Sequence, residues 1–143
     1  MDPMAQVLGL KVGGALPLMD AVRDGLPLSS LDRVARTVAP TDRAFVFRIV
    51  PRATLARRRK VLAGGGTSGA RLSPLEGAQV ARLAGVWAMA LDVWGGEAAA
   101  RRFMFEPHGV LHGRRPVDVV LENELGRPIV EGVLGRLQAG SAV

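Results

Sequence analysis

The chain has no cysteine, and only two histidines and two tryptophans among its 143 residues. The missing cysteine excludes disulfides, thiolate metal sites and a cysteine nucleophile. Two histidines do not complete a zinc set, which takes three or four protein ligands. No apolar stretch approaches the roughly 18 residues of a membrane span. The N-terminal MDPMAQVLGLKVGGALPLM faintly resembles a secretion signal. It lacks a basic start, however, and Lys11 and two glycines interrupt its apolar run. No alternating apolar–polar run is long enough to define a strand, and no internal repeat is visible. These absences predict a soluble, cytoplasmic, all-α protein with no membrane partner. At 48% apolar content it can build one ordinary core or two small helical modules.

What the chain does have is unevenly placed positive charge. Of a net +6, residues 23–60 carry ten basic and three acidic groups, whereas residues 61–143 carry eight of each. A basic patch confined to one short segment is the electrostatic footprint of nucleic-acid binding.

Helix start and stop signals divide that segment. PLMDAVRD, from Pro17, reads as a helix stopped by Gly25. SSLDRVARTVAP has Ser29 or Ser30 as a cap and a stripe of Leu31, Val34, Ala35 and Val38 at helical spacing. TDRAFVFRIV restarts with Thr41 as cap, and PRATLARRRK follows with Pro51 at the first helical position. Three short helices with tight joints predict a helix-turn-helix arrangement. The expected organisation is an N-terminal segment 1–22, a helix-turn-helix module 23–62, a Gly-rich linker 63–70 and a second module 71–143. In that second module Ser73 caps a long helix that is apolar nearly all round and stops at Gly95-Gly96. Glu97 to Phe105 forms another helix, and one or two more complete the chain.

Each candidate site has a plain alternative. His108 and His112 have metal-motif spacing. Gly109 and Gly113 break the helix that would put both rings on one face, so an ordered turn is the better reading, with no metal and no general base. In the run Arg57-Arg58-Arg59-Lys60, Leu55 faces inward and positions 53, 57 and 60 lie opposite, at about 100° per residue. Arg57 and Lys60 are then the best groove-facing residues. Arg52, Arg58 and Arg59 flank the buried stripe, where they reach phosphates or pair with acids. Arg52 and Thr54 stand where a recognition helix meets base edges. The alternative is a solvated basic helix end, favoured by the helix dipole. Trp87 and Trp94 read as packing residues. The glycines of AGGGTSG follow no strand and lack a closing lysine, which excludes a phosphate loop. Catalysis finds no home here, and neither does a cofactor.

From about Gly25 onward the chain resembles the Xre/MbcA/ParS antitoxins, partners of RES-domain toxins. The segments that carry the resemblance are GLPLSSLDRVART, VPRATLARRR and RLSPLEGAQVARLAGVWAMALDVWGGEAAARRFMFEPHGVLHGRRPVDVVLENELGRPIVEGVL. Arg102-Phe103 holds the family's Arg-aromatic pair, and Pro107, Leu111, Gly113 and Pro116 hold its P-x-x-x-L-x-G-x-x-P turn. The resemblance implies an N-terminal module that dimerises, binds operator DNA and represses its own operon. It also implies a C-terminal helical domain that covers an NAD-consuming toxin of ADP-ribosyltransferase-like fold and blocks its active site. By position, the implied toxin-binding residues are Arg136, Gly140 and Ser141, supported by the turn with His108, His112 and Arg114. Ile49 departs from the family, which often has glycine between the second and third helices. A stand-alone dimeric transcriptional regulator is the alternative.

Overall fold

Proline and glycine cut this chain into helices of a few turns each. The computed structural model describes residues 2–66 and 69–140, and every regular element among them is helical. The all-α expectation holds. The chain forms two compact units, Met1–Ala81 and Arg82–Val143.

In the first unit, α1 (Pro3–Leu8) starts at Asp2, whose carboxylate accepts from the Met4 N–H at 3.0 Å, and stops at Gly9, with φ 71°. The sequence pattern predicts no helix there; it forms because Ala5 and Leu8 bury completely as α1 packs on α3 (Leu28–Val38). Between them lies α2 (Ala15–Asp24), ended by Gly25. The expected stripe of α3 is buried, but neither Ser29 nor Ser30 caps it. The helix begins after Pro27 without a side-chain cap, and the buried Ser30 hydroxyl donates to the Leu8 carbonyl at 2.7 Å. That bond ties the C-terminal end of α1 to α3 and satisfies a buried hydroxyl.

The helix expected over residues 41–50 is replaced by a single 3-10 turn, Phe45–Arg48. Thr41 is exposed, and Asp42 instead accepts from the Ala44 N–H at 3.0 Å. Phe-Val-Phe-Arg-Ile-Val is aromatic and β-branched, hence poor in helix propensity. Pro51 further disfavours helical backbone at Val50. Phe45 and Val50 are still buried, so the segment packs without being an α-helix. Ile49 takes ordinary right-handed backbone, φ −109° and ψ −46°, so this turn requires no glycine.

After Pro51, α4 spans Arg52–Ala63. Helix α5 (Pro74–Trp94) starts with a capping box. The Ser73 hydroxyl accepts from the Glu76 N–H at 3.2 Å, and Glu76 accepts from the Ser73 N–H at 2.8 Å. Just before it, the Leu72 N–H donates to the Leu26 carbonyl at 2.8 Å and Arg71 donates to the Gly25 carbonyl at 2.9 Å. These ties hold the start of α5 within the first unit. The two compact units meet inside α5, at Ala81/Arg82.

The second unit continues with α5, then α6 (Glu97–Phe105), a 3-10 turn at Gly109–Leu111, α7 (Pro116–Glu122) and α8 (Gly126–Gln138). Leu83, Val86, Trp87, Ala90, Phe103, Met104, Val117, Val120, Val130, Val133 and Leu134 form its core. Ile129, on α8, is half exposed and lines a groove with residues of α7 and of the α7–α8 joint. At that joint a Cβ on Gly126 would overlap the Val119 carbonyl and lie 2.9 Å from the Val120 Cα.

Two glycines thus face opposite kinds of neighbour. Gly126→Ala should cost about 2–3 kcal/mol, since backbone cannot yield to the added methyl. At Gly85 the three atoms nearest the added Cβ all belong to the Arg127 guanidinium, Cζ at 2.7 Å. That side-chain end can swing aside, and helical alanine is favoured over glycine by up to about 1 kcal/mol, so Gly85→Ala should be near neutral. Urea unfolding of the two variants checks the contrast.

Candidate functional site

The basic helix α4 sorts its cations into paired and unpaired ones. Leu55 is its buried anchor. Arg58 turns toward the protein and binds Glu76 at 2.6 Å, both side chains being mostly buried. Burial pushes the Glu76 carboxyl up, but the hydrogen bonds from Arg58 and from the Ser73 backbone outweigh it and hold the group below the usual carboxylate range. Arg59 binds both oxygens of Asp32 on α3, at 2.9 and 3.0 Å. The Asp32 hydrogen bond raises the Arg59 pKa against its partial burial. The Arg52 guanidinium lies 4.0 Å over the Phe47 ring, against the 3-10 segment. Thr54 is half-buried. Ala53, Arg57 and Lys60 share the exposed face, and among the described residues Arg57 and Lys60 have no ion-pair partner. Of the six residues named from the sequence, the structure brings Arg57 and Lys60 together on one outward surface and engages Arg52, Arg58 and Arg59 elsewhere.

In the second unit PHGVLHGRRP forms a closed turn. The His108 N–H donates to the Arg114 carbonyl at 3.2 Å, and the Gly113 N–H donates to the His108 carbonyl at 2.9 Å. The His108 ring packs 5.0 Å from the Phe103 ring, and its Nε2 bonds the Phe103 carbonyl at 3.0 Å. A carbonyl only accepts, so Nε2 carries the proton. His112 sits in the left-handed region, φ 56°, followed by Gly113 at φ 82°, which together reverse the chain. Arg114 donates to the Leu111 carbonyl at 3.4 Å. The two imidazoles therefore point to different tasks: His108 pins the turn to α6, while His112 is exposed. Among the described residues no three histidine or carboxylate groups gather closely enough to hold a metal ion. Trp87 is buried, and the partly exposed Trp94 packs against Phe103 at 5.9 Å.

Beside the turn lies a groove of about 560 Å³, lined by Val110, His112, Arg114 and Leu111 of the turn and by residues of α7, the α7–α8 joint and α8. Three of its apolar residues, Val110, Leu125 and Ile129, are exposed. Sequence reasoning reached His112 and Arg114 but missed this groove. Its one local signal is Leu125, an apolar residue inside the otherwise polar Glu-Asn-Glu-Leu-Gly joint. Arg136 is exposed on α8, and among the described residues it has no ion-pair partner. Gly140, at φ 80°, follows that helix, and Ser141 lies outside the described residues.

Comparison with known proteins bears directly on this unit. The model of the antitoxin Xre/MbcA/ParS C-terminal toxin-binding domain matches residues 89–140. An antitoxin Xre from Yersinia enterocolitica is 30% identical over 136 residues, covering 93% of this chain and 86% of that relative. The chain belongs to the Xre/MbcA/ParS antitoxin family. As a family member it is an antitoxin of a toxin–antitoxin system, with a toxin as its partner class. The matched span of this Xre/MbcA/ParS antitoxin takes in the end of α5, all of α6, the His108–Arg114 turn, α7 and α8. Among the described residues no helix is long and apolar enough to cross a membrane.

The different roles of neighbouring arginines on α4 are separable. Arg58→Met should lower the unfolding free energy by about 2 kcal/mol, because it leaves Glu76 mostly buried without its cation. Arg57→Ala should change it by less than about 0.5 kcal/mol. Glu76 has a depressed folded-state pKa, so its contribution is complete above the unfolded value, about 4.3, and is lost as pH falls through the folded value. Thermal melts between neutral and acidic pH should show a shallower acid limb in Glu76→Gln than in the parent.

Proposed function

We propose that this antitoxin neutralises a RES-domain toxin that consumes NAD, and that it represses its own operon by binding operator DNA as a homodimer within the toxin–antitoxin complex. The observation that carries this reading is the toxin-binding match over residues 89–140, which falls on the unit holding the turn, the groove and Arg136. In this reading α8 docks on the toxin. Arg136, Gly140 and Ser141 then reach the mouth of the NAD site, with His108, His112 and Arg114 supporting the contact. An arginine there suits NAD phosphates or an acidic group of the toxin. No cofactor is needed, since occlusion is a binding function and not a reaction.

DNA contact is assigned to the outward face of α4. Its support is the pair Arg57 and Lys60, exposed and without ion-pair partners among the described residues, in the segment that carries the chain's net positive charge. Arg52 and Thr54 at the helix start come next. Arg58 and Arg59 serve this surface indirectly, by holding α4 in place through Glu76 and Asp32. The same surface would serve a stand-alone regulator, the second reading. Co-expression with the product of the adjacent gene separates the two.

Deleting residues 139–143 should leave the toxin complex co-purifying but raise residual NAD consumption, because buried apolar contacts supply most interface energy and the tail supplies occlusion. Deleting residues 127–143 should abolish both. Unchanged neutralisation by the short deletion would remove Gly140 and Ser141 from the mechanism. The double variant Arg57→Ala, Lys60→Ala should abolish operator shifts while neutralising the toxin normally. Each lost phosphate contact should flatten the salt dependence of log affinity by about 0.9.

A further inference from the structure

The groove in the second unit joins exposed apolar surface to an unanswered charge. Val110 is 42% exposed, Leu125 64% and Ile129 50%, and the three come from the 3-10 turn, the α7–α8 joint and the first turn of α8. They converge on one groove because Gly126, with no side chain, lets α8 start directly against the Val119 carbonyl. Apolar side chains gathered in a concave site, among residues that are otherwise polar or charged, mark an interaction surface.

The charges along the groove are not equally satisfied. Asp118 is bound by Arg115 through both oxygens, at 2.7 and 3.0 Å. Glu122 is exposed, lines the same groove, and has no ion-pair partner among the described residues. It is also the last residue of α7, whose last turn has no basic side chain. A carboxylate at the carbonyl end of a helix is placed where its own charge is least favoured. A cation from outside would relieve that.

We infer that this groove is a docking site for an apolar segment of the toxin that carries a lysine or arginine, the apolar side chains seating on Val110, Leu125 and Ile129 and the cation meeting Glu122. The assignment rests on the antitoxin reading above and specifies where its partner is gripped. Every residue lining the groove falls within the matched toxin-binding span 89–140, which selects the toxin over other occupants. The grip is distinct from occlusion by Arg136 and the tail: it contributes affinity without entering the NAD site. Recognition by these apolar side chains together with the Glu122 carboxylate also confers discrimination, because a toxin presenting an acid beside Glu122 would be repelled by it.

The test uses the full chain and the product of the adjacent toxin gene, inactivated so that it can be purified, with affinity measured by calorimetry. Ile129→Asp and Leu125→Ser should each weaken binding by about 30-fold or more, the effect of removing a central apolar anchor. Glu122→Lys should weaken it by at least about 10-fold, with a larger loss at low salt, and Glu122→Gln should fall between Glu122→Lys and the parent. Leu125 lies in an exposed joint, so Leu125→Ser tests the groove without threatening the core; circular dichroism confirms that each variant folds. If the parent binds the toxin and these variants bind equally well, the groove assignment is overturned while the antitoxin reading stands. If the folded parent does not bind the toxin at all, both fall together. If Ile129→Asp instead converts a dimer to a monomer in sedimentation and leaves toxin affinity unchanged, the occupant is a second copy of this chain, and the toxin assignment is wrong.

Discussion

Glu76 is the carboxylate on which the geometry of the first unit depends. It accepts from the Ser73 N–H at the start of α5 and from Arg58 on α4. One side chain thus closes a capping box and fixes the basic helix against α5. Asp32 does the same from α3 through Arg59. Two of the four consecutive cations are used to seat α4. Arg57 and Lys60 point outward because their neighbours point in. In a helix this follows from the 100° step between residues, which cannot send four consecutive side chains to one side.

The second unit rests on backbone constraints instead. A left-handed residue at His112, glycines at positions 113 and 126, and prolines at 107 and 116 bring the turn, α7 and α8 together. Of its two imidazoles, His108 turns inward to the Phe103 ring and carbonyl, and His112 is exposed. Exposed apolar residues remain where these elements converge. A folded chain that seeks no partner would be expected to cover or replace Leu125 and Ile129; an antitoxin has reason to leave them open.

Much of this architecture was legible in the residues. The stripe of α3, the Ser73 cap, the length of α5, the stop at Gly95 and the extent of α6 follow from local periodicity and capping, which act within a few residues. Other features were not. Ser30 reads as a cap until Leu8 arrives from a distant helix to take its hydroxyl. Phe45 to Val50 reads as a helix until low propensity and Pro51 reduce it to one turn. Helix α1 lacks the length to announce itself and is stabilised by burial on α3.

The sequence alone determined the helical class, the concentration of charge in residues 23–60, the closed turn at His108 to Arg114 and the family resemblance, since each depends on composition or on neighbours along the chain. Only the tertiary structure decided which cations on α4 are committed to Glu76 and Asp32. It alone placed Ile129 at the surface and brought Val110, Glu122 and Leu125 to one groove. Those outcomes depend on residues from separate helices meeting in space, and spacing along one helix carries no information about the side chains that a second helix will present to it.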